Sequence, residues 1–480
     1  MSARKIIAIG GSDAGISAAL RARELDPTSE VTVVVADAYP NFSICGIPYY
    51  VSGEVTHWSN LAHRTAADLA ATGMTVHTDT RATAIDPAGH RLTVTGPDGA
   101  ARDLDYDALV IGTGAVSVRP PITGLDHLGP ADGVHLLHSM GDTFAVMNTL
   151  TTKDPKTAII IGAGYIGLEM AEGLTARGIT VTQIEALPEV LPTVEPELGA
   201  LVHDELVRNR VDVRTHTLVT AVDRTDTGAL TVTTSSDGQT DHLTADLVLV
   251  VVGVRPDTDL AAAAGAQLGI KNTIAVDEQM RTNLADVFAA GDAVHTHHRQ
   301  LGITWLPLGI TWLPLGTTAH KQGRVAGENA LGGTARYTGS LGTQVVKIFD
   351  LVAARTGLKE TEALAADRGW VPVSTTSTPD DHKAYYPGAT PISIRITGDQ
   401  NTGALLGAQL IGHRTAEISK RVDTYATALH HSMTADALSE LDLSYTPPLG
   451  SPWDAVQVAA QNWVREHQLH HQRSALSLNR

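Results

Sequence analysis

The 480-residue chain carries 52 acidic side chains against 35 lysines and arginines, a formal net charge of −17, and one cysteine. That balance argues against nucleic acid and anionic membranes as partners, and a single cysteine excludes an intrachain disulfide, so the cytoplasm is the expected compartment. The length suits about two to four domains with large cores, no apolar run reaches membrane-spanning length, and the first residues pass straight into a strand without a signal-type segment.

Residues 5–10 read as a short buried strand, 10–15 as a glycine turn, 16–25 as a helix with Ala and Leu on one face, and 31–35 as a strand leading to Asp37. A strand–turn–helix–strand unit closed by an acid about twenty residues past its last glycine is the pattern of a dinucleotide fold. Hairpin-type strands are expected at 74–78 and 91–94, and 107–114 reads as a buried strand running into Thr113-Gly114. The pattern then restarts. A strand over 158–161 enters the turn Gly162-Ala163-Gly164-Tyr165-Ile166-Gly167, followed by a helix over 165–177 and a strand over 180–184 ending at Glu185. Residues 247–252 with Gly253 mirror the end of the first unit, and 286–291 with Asp292 make one more strand and turn. A helix is expected over 318–331. From Gly339 onward, alternating strands (341–350, 392–396, 405–411) and an amphipathic helix over 414–431 suggest a third, α+β domain, and the His-rich end after Trp463 is expected to be loose.

The second glycine turn is complete. Gly162 permits the tight turn, Gly164 lets the backbone approach a pyrophosphate, and Gly167 lets helix and strand pack closely. The helix N-terminus offers N–H groups to phosphate, and Glu185 offers a carboxylate to an adenosine ribose while repelling a 2′-phosphate, which favours NADH over NADPH. The first turn, Gly10-Gly11-Ser12-Asp13-Ala14-Gly15, has Ser12 at the middle glycine position and is supported by Asp37. Between the two turns lies Cys45. Only a thiolate is a useful nucleophile, so this site is expected to lower the thiol pKa. With no second cysteine to resolve it, oxidised Cys45 must end as a mixed disulfide with a small thiol or as a sulfenic acid. His295, His297 and His298 lie within four residues of one another and read as an exposed loop, with a Zn or Cu site as the alternative. Residues 302–308 are repeated as 309–315, either a tolerated loop duplication or an altered lid over a cofactor.

These two turns, together with Thr113-Gly114-Ala115, Gly253 and Ala290-Gly291-Asp292, resemble the FAD-dependent pyridine nucleotide–disulfide oxidoreductases. The segment around Cys45 (41–50), the run 314–324, Tyr385-Tyr386-Pro387-Gly388 and Tyr445-Thr446-Pro447-Pro448 resemble the single-cysteine branch, which includes coenzyme A disulfide reductase, NADH oxidase and NADH peroxidase. The resemblance covers about residues 4–460. It implies an α/β fold with two Rossmann-like domains and a C-terminal α+β dimerisation domain. FAD would occupy 1–117 and 255–335, NAD(P)H 118–254, and the homodimer contact 336–463, with 464–480 a flexible tail. It implies that Gly10, Ser12, Gly15, Asp37, Thr113, Gly114, Gly291 and Asp292 hold FAD. It likewise implies that Gly162, Gly164, Gly167, Glu185 and Gly253 hold NADH, with NADPH possible, and that Glu169 lies near the flavin edge and nicotinamide. Cys45 would be the redox cysteine, and Tyr445 and one of Tyr385 or Tyr386, with Tyr386 preferred, would be offered by the partner subunit.

Three departures stand out. Asp13 occupies the position where the peroxidase has a histidine, which argues against that mechanism. Asp13 is then either a proton donor near Cys45 or a helix cap. Arg23-Glu24-Leu25-Asp26 has an acid where CoA-type members often have a second arginine. The repeat precedes the helix expected to face the flavin, its first copy being the extra one, with Trp305 or Trp312 crowding the substrate side. The implied activity is electron transfer from NAD(P)H through flavin and Cys45 to a small disulfide, coenzyme A disulfide first. The alternatives are a water-forming NADH oxidase using a Cys45 sulfenic acid, and a reductase for a protein partner or a redox sensor.

Overall fold

The computed structural model describes residues 3–225, 228–301 and 310–468. Strand β1 (Lys5–Ile9) is an apolar run with four of its five residues buried. It is flanked in parallel by β2 (Glu30–Val34) and by Ala108–Ile111. Thr75–His77 and Val287–Ala289 complete a parallel sheet of five strands at its two edges. Helix α1 (Asp13–Leu25) covers one face with Ala14, Ala18 and Ala22 buried, as a parallel sheet requires cover on both faces. These small side chains admit the Gly316–Ala330 helix, where a Cβ on Gly327 would lie 2.2 Å from the Ala18 carbonyl oxygen. The expected strand at 74–78 is thus an edge strand of the parallel sheet. Arg91–Thr95 instead forms a separate antiparallel meander with Arg81–Asp86 and Ala101–Asp105.

The second unit repeats this plan. Thr157–Ile161, Thr180–Ile184, Asp212–Arg214, Leu247–Val250 and Val134–Leu136 form a parallel sheet, with a second antiparallel meander beside it. The chain leaves the first unit along Ala115–Ser117 and re-enters it along Val254–Pro256, and these two crossings pair side by side.

The C-terminal part is a five-stranded antiparallel sheet, Gln344–Ile348, Leu351–Gly357, Leu405–His413, Ile392–Asp399 and Pro372–Ser377 in spatial order. Helices Ile418–His430 and Ala455–His467 pack on it around Tyr425 and Trp463. The expected helix over 414–431 starts only at Ile418, because Glu417 adopts a left-handed conformation (φ 53°) that breaks the helix. The expected loose end after Trp463 is helical to His467, and residues 469–480 lie outside the described residues. Among the described residues, no helix is long and apolar enough to cross a membrane.

Candidate active site

The first glycine turn joins β1 to α1. Gly10 has φ +110°, and a Cβ there would lie 2.0 Å from the Gly112 oxygen, so only glycine fits. Ser12 is the N-cap residue without a side-chain capping bond, and Asp13 is the first helical residue, so Asp13 does not cap the helix. Gly15 packs against Gly10, and Gly291 approaches Ala14, which brings Asp292 to the same corner. Asp37 stands exposed beyond β2, its Oδ1 accepting the Tyr39 N–H at 2.9 Å. Desolvation by the protein on one side of its carboxyl, with the charge of Asp79, holds it above the usual range. Thr113 donates to the Asp257 carbonyl at 2.5 Å, and Gly253 accepts from the Val118 N–H, so these residues fasten the two crossings together. Gly114 lies in the same tie, its carbonyl accepting the Asp257 N–H at 2.9 Å.

In the second turn Gly167 packs on Gly162, while nothing lies within 4 Å of a Cβ built on Gly164. Open ground therefore faces the N-terminus of the Tyr165–Ala176 helix. Glu185 is 8 % exposed, and its carboxylate accepts the Ala163 N–H at 2.8 Å and the Leu187 N–H at 2.9 Å. The acid at the strand end thus braces the turn.

Cys45 sits in a 3-10 turn (Ile44–Gly46) running into α2 (Ile47–Ser52). Two ties place it. The Asn41 N–H donates to the Gly11 carbonyl at 2.6 Å. Ile47 and Val51 share a core with Leu168 and Ala171 of the Tyr165–Ala176 helix. The sulfur therefore lies between the two glycine turns. It keeps contact with solvent on one side, yet the protein around it raises the thiol pKa. Burial is the largest cause, followed by the charges of Glu169, Asp13 and Asp292. This corrects the expected lowering: the charges acting on the thiol are all carboxylates, and α2 is a helix of only six residues. Burial likewise pushes Glu169 up to about 7 and Asp292 to about 6. Tyr49 donates to Glu169 Oε1 at 3.1 Å. Sequence reasoning missed this partner, although it lies four residues past Cys45 inside the segment that carried the resemblance.

The tyrosines lie elsewhere. Tyr385, Tyr386 and Tyr445 are 73 %, 43 % and 44 % exposed on the C-terminal part. Tyr385 lies beside Tyr445, whose hydroxyl raises its pKa, while Tyr386 packs against His382 with ring centroids 5.8 Å apart. Of the two, Tyr385 is the one that meets Tyr445 within its own chain. His295, His297 and His298 are buried, not exposed, and burial lowers the pKa of each, His298 to about 4. They are neutral core residues, and among the described residues no group of three or more His, Cys, Asp or Glu side chains is placed to hold a metal ion. Of the repeat, residues 302–309, including Trp305, lie outside the described residues. Trp312 in the second copy donates its indole N–H to the Asp292 carbonyl at 2.8 Å.

The sequence pattern of the pyridine nucleotide-disulphide oxidoreductases matches residues 4–323, and that of their dimerisation domain matches residues 343–455. The NAD(P)H sulfur oxidoreductase (CoA-dependent) of Pyrococcus abyssi is 31% identical over 460 residues, covering 95% of this chain and 98% of that protein. The coenzyme A disulfide reductase of Staphylococcus haemolyticus is 29% identical over 460 residues, covering 95% and 98%. The water-forming NADH oxidase of Lactobacillus brevis, solved with NADH bound, superposes with a TM-score of 0.88 at 26% identity, covering 98% of this chain and 100% of that one. Two dinucleotide turns flanking a lone thiol and a matching dimerisation domain lead to one assignment: the chain belongs to the pyridine nucleotide-disulphide oxidoreductase family, NAD(P)H-dependent flavoproteins that work with FAD.

Proposed function

We propose that the chain reduces a small disulfide of the coenzyme A type at Cys45, with electrons from NADH. The observation that carries this reading is the position of the only thiol, between the two glycine turns and inside the field of Glu169, Asp13 and Asp292. The relatives named as CoA-dependent and as a coenzyme A disulfide reductase support the substrate class.

The residues present fit both dinucleotides. At the first turn Gly10 and Gly15 keep the backbone clear, so that they, with Ser12 at the helix entrance, Asp37 beyond the second strand and Gly291-Asp292 at the same corner, would hold FAD. Thr113 and Gly114 hold the wall of that groove. At the second turn the open space before Gly164 fits the NADH pyrophosphate, with Gly162 and Gly167 shaping the turn and Gly253 at the neighbouring strand end. The Glu185 carboxylate fits a ribose with free hydroxyls and repels a 2′-phosphate. FAD bound there supplies the two-electron link between nicotinamide and sulfur. Glu169, braced by Tyr49, would line the nicotinamide side, and its charge acts on the sulfur. Cys45 rests as a thiol. It gives its proton to a carboxylate poised near neutrality when it attacks a disulfide. A homodimer built through residues 336–463 would bring the Tyr385–Tyr445 pair to the partner's sulfur.

A water-forming oxidase is the second reading, and Arg23 favours it. Its guanidinium is bound by the carbonyls of Thr72, Pro27 and Ser29, so it is not free for CoA phosphates. The deciding experiment follows NADH consumption by the FAD-loaded enzyme, with air and then anaerobically with coenzyme A disulfide. Fast anaerobic turnover is expected, falling roughly a hundredfold or more in Cys45→Ser while dye reduction by NADH persists. Turnover with O₂ alone, without released peroxide, would overturn the disulfide reading.

A further inference from the structure

A second cluster of titratable groups adjoins the thiol and has no assigned role. His320, on the Gly316–Ala330 helix, reaches across to α1 with both ring nitrogens occupied. Nδ1 lies 2.7 Å from Ser17 Oγ and Nε2 lies 3.2 Å from Asp13 Oδ1. The helix itself starts against Asp13, because a Cβ on Gly316 would fall 2.7 Å from Asp13 Oδ2. Asp13 in turn sits at the corner where the glycine turn, the Asn41 tie of the Cys45 segment and the Gly291-Asp292 turn meet.

The two partners suit both charge states of the ring. As a cation, the imidazole donates from Nδ1 to Ser17 and from Nε2 to Asp13. When neutral it keeps Nε2–H on Asp13, and the Ser17 hydroxyl rotates to donate to Nδ1. Gaining or losing a proton therefore breaks no hydrogen bond. Access is graded as well: the His320 side chain is 48 % exposed and that of Asp13 only 23 %. Water meets the imidazole, and the more sheltered Asp13 is one of the charges acting on the sulfur.

We propose that His320, acting through Asp13, is the proton store of the Cys45 site. The proposal rests on the thiol-reduction reading. Reduction of a mixed disulfide takes two electrons, which NADH supplies as hydride with that hydride's own proton released to water, and one proton at the departing sulfur. The S–S bond between Cys45 Sγ and the substrate sulfur breaks, and each sulfur leaves with a negative charge. The proton passes from His320 Nε2 to Asp13 and from Asp13 to the departing substrate sulfur. Cys45 Sγ, released as a thiolate, regains its proton from the carboxylate that took it when the thiol attacked, and neutral His320 takes its next proton from water. Asp13 is the group that meets the reacting sulfur, and His320 is a positioning residue behind it. The charged groups facing the ring are Asp13, which raises its pKa by hydrogen bond and by charge, and Arg64, which opposes it along with burial.

The test uses the FAD-loaded enzyme. His320, one of 21 histidines, is identified by labelled-histidine NMR through the resonance lost in His320→Gln. Its titration midpoint is expected above the ordinary imidazole value and is expected to fall in Asp13→Asn. Anaerobic turnover of coenzyme A disulfide is expected to decline as pH rises through that same midpoint. In His320→Gln, which keeps an N–H donor toward Asp13 but cannot hold a proton, the decline should vanish. The rate below the midpoint should drop roughly ten- to a hundredfold and recover with added imidazole. A titration unmoved by Asp13→Asn, or a His320→Gln enzyme with the wild-type pH profile, overturns the proposal. If the wild type does not reduce the disulfide, the substrate assignment falls, while the NMR criterion stands and the same profile is read with O₂ as acceptor.

Discussion

The Cys45 thiol shares its corner with Glu169, Asp13 and Asp292, and this fixes how single substitutions act. Among these charges Glu169 weighs most on the sulfur. Glu169→Gln removes it and keeps an acceptor for the Tyr49 hydroxyl, so the thiol should ionise at lower pH. Alkylation by iodoacetamide at pH 8 is then faster than in the wild type. Stability should move too. Glu169 binds its proton more tightly folded (about 7) than unfolded (4.5), so its ionisation opposes folding. The cost is full above pH 7, shrinks as pH falls through 7, and is gone below about 4.5. Removing it should stabilise the protein by about 1–3 kcal/mol at pH 8 and by almost nothing near pH 4.5. Denaturant melts at the two pH values check both the gain and its pH dependence. Cys45 and Glu169 were legible in the sequence because each sits at a fixed offset in a recognisable segment. The field around the thiol was not, because its carboxylates come from positions 13, 169 and 292, which only folding brings together.

Helix α1 and the Gly316–Ala330 helix carry Asp13 and His320, and their closeness depends on missing side chains. A Cβ on Gly327 would meet the Ala18 carbonyl oxygen at 2.2 Å and one on Gly323 the Ala14 oxygen at 2.4 Å, both rigid backbone atoms. Gly327→Ala must therefore push the Gly316–Ala330 helix off α1, at a cost of about 1–3 kcal/mol. The expected outcome is a lower Tm and weaker retention of FAD on dilution. An unchanged Tm would show that the helices separate freely. At this scale the glycine turns and their helices were readable, since turn chemistry and helical period are local signals. The helix over 414–431 was placed too early because nothing local marks Glu417 as left-handed. The 295–298 histidines were misplaced for a related reason. Their burial is imposed by neighbours such as Val276, whose carbonyl lies 2.8 Å from His295 Nε2.

For the whole molecule, the repeated glycine turn announced two dinucleotide folds, and the paired crossings Ala115–Ser117 and Val254–Pro256 show how one is inserted in the other. What a single chain cannot complete is the surface of its C-terminal part. Leu449 (75 % exposed) and Trp453 (50 % exposed) stand there with Tyr385 and Tyr445, large groups left exposed by the described residues around them. A dimerisation domain that turns such groups outward is built to bury them against a second copy. Two variants separate assembly from chemistry. The double change Leu449→Asp and Trp453→Asp buries charge in the proposed contact, so sedimentation should show monomers. Tyr445→Phe removes one hydroxyl and leaves the apolar contact intact, so the protein should remain dimeric. If the partner's tyrosine attends the reacting sulfur, Tyr445→Phe should slow disulfide turnover roughly tenfold while dye reduction by NADH continues. A dimeric Tyr445→Phe enzyme with full disulfide turnover would leave the tyrosines as packing groups. A double variant that stays dimeric would place the contact on another face.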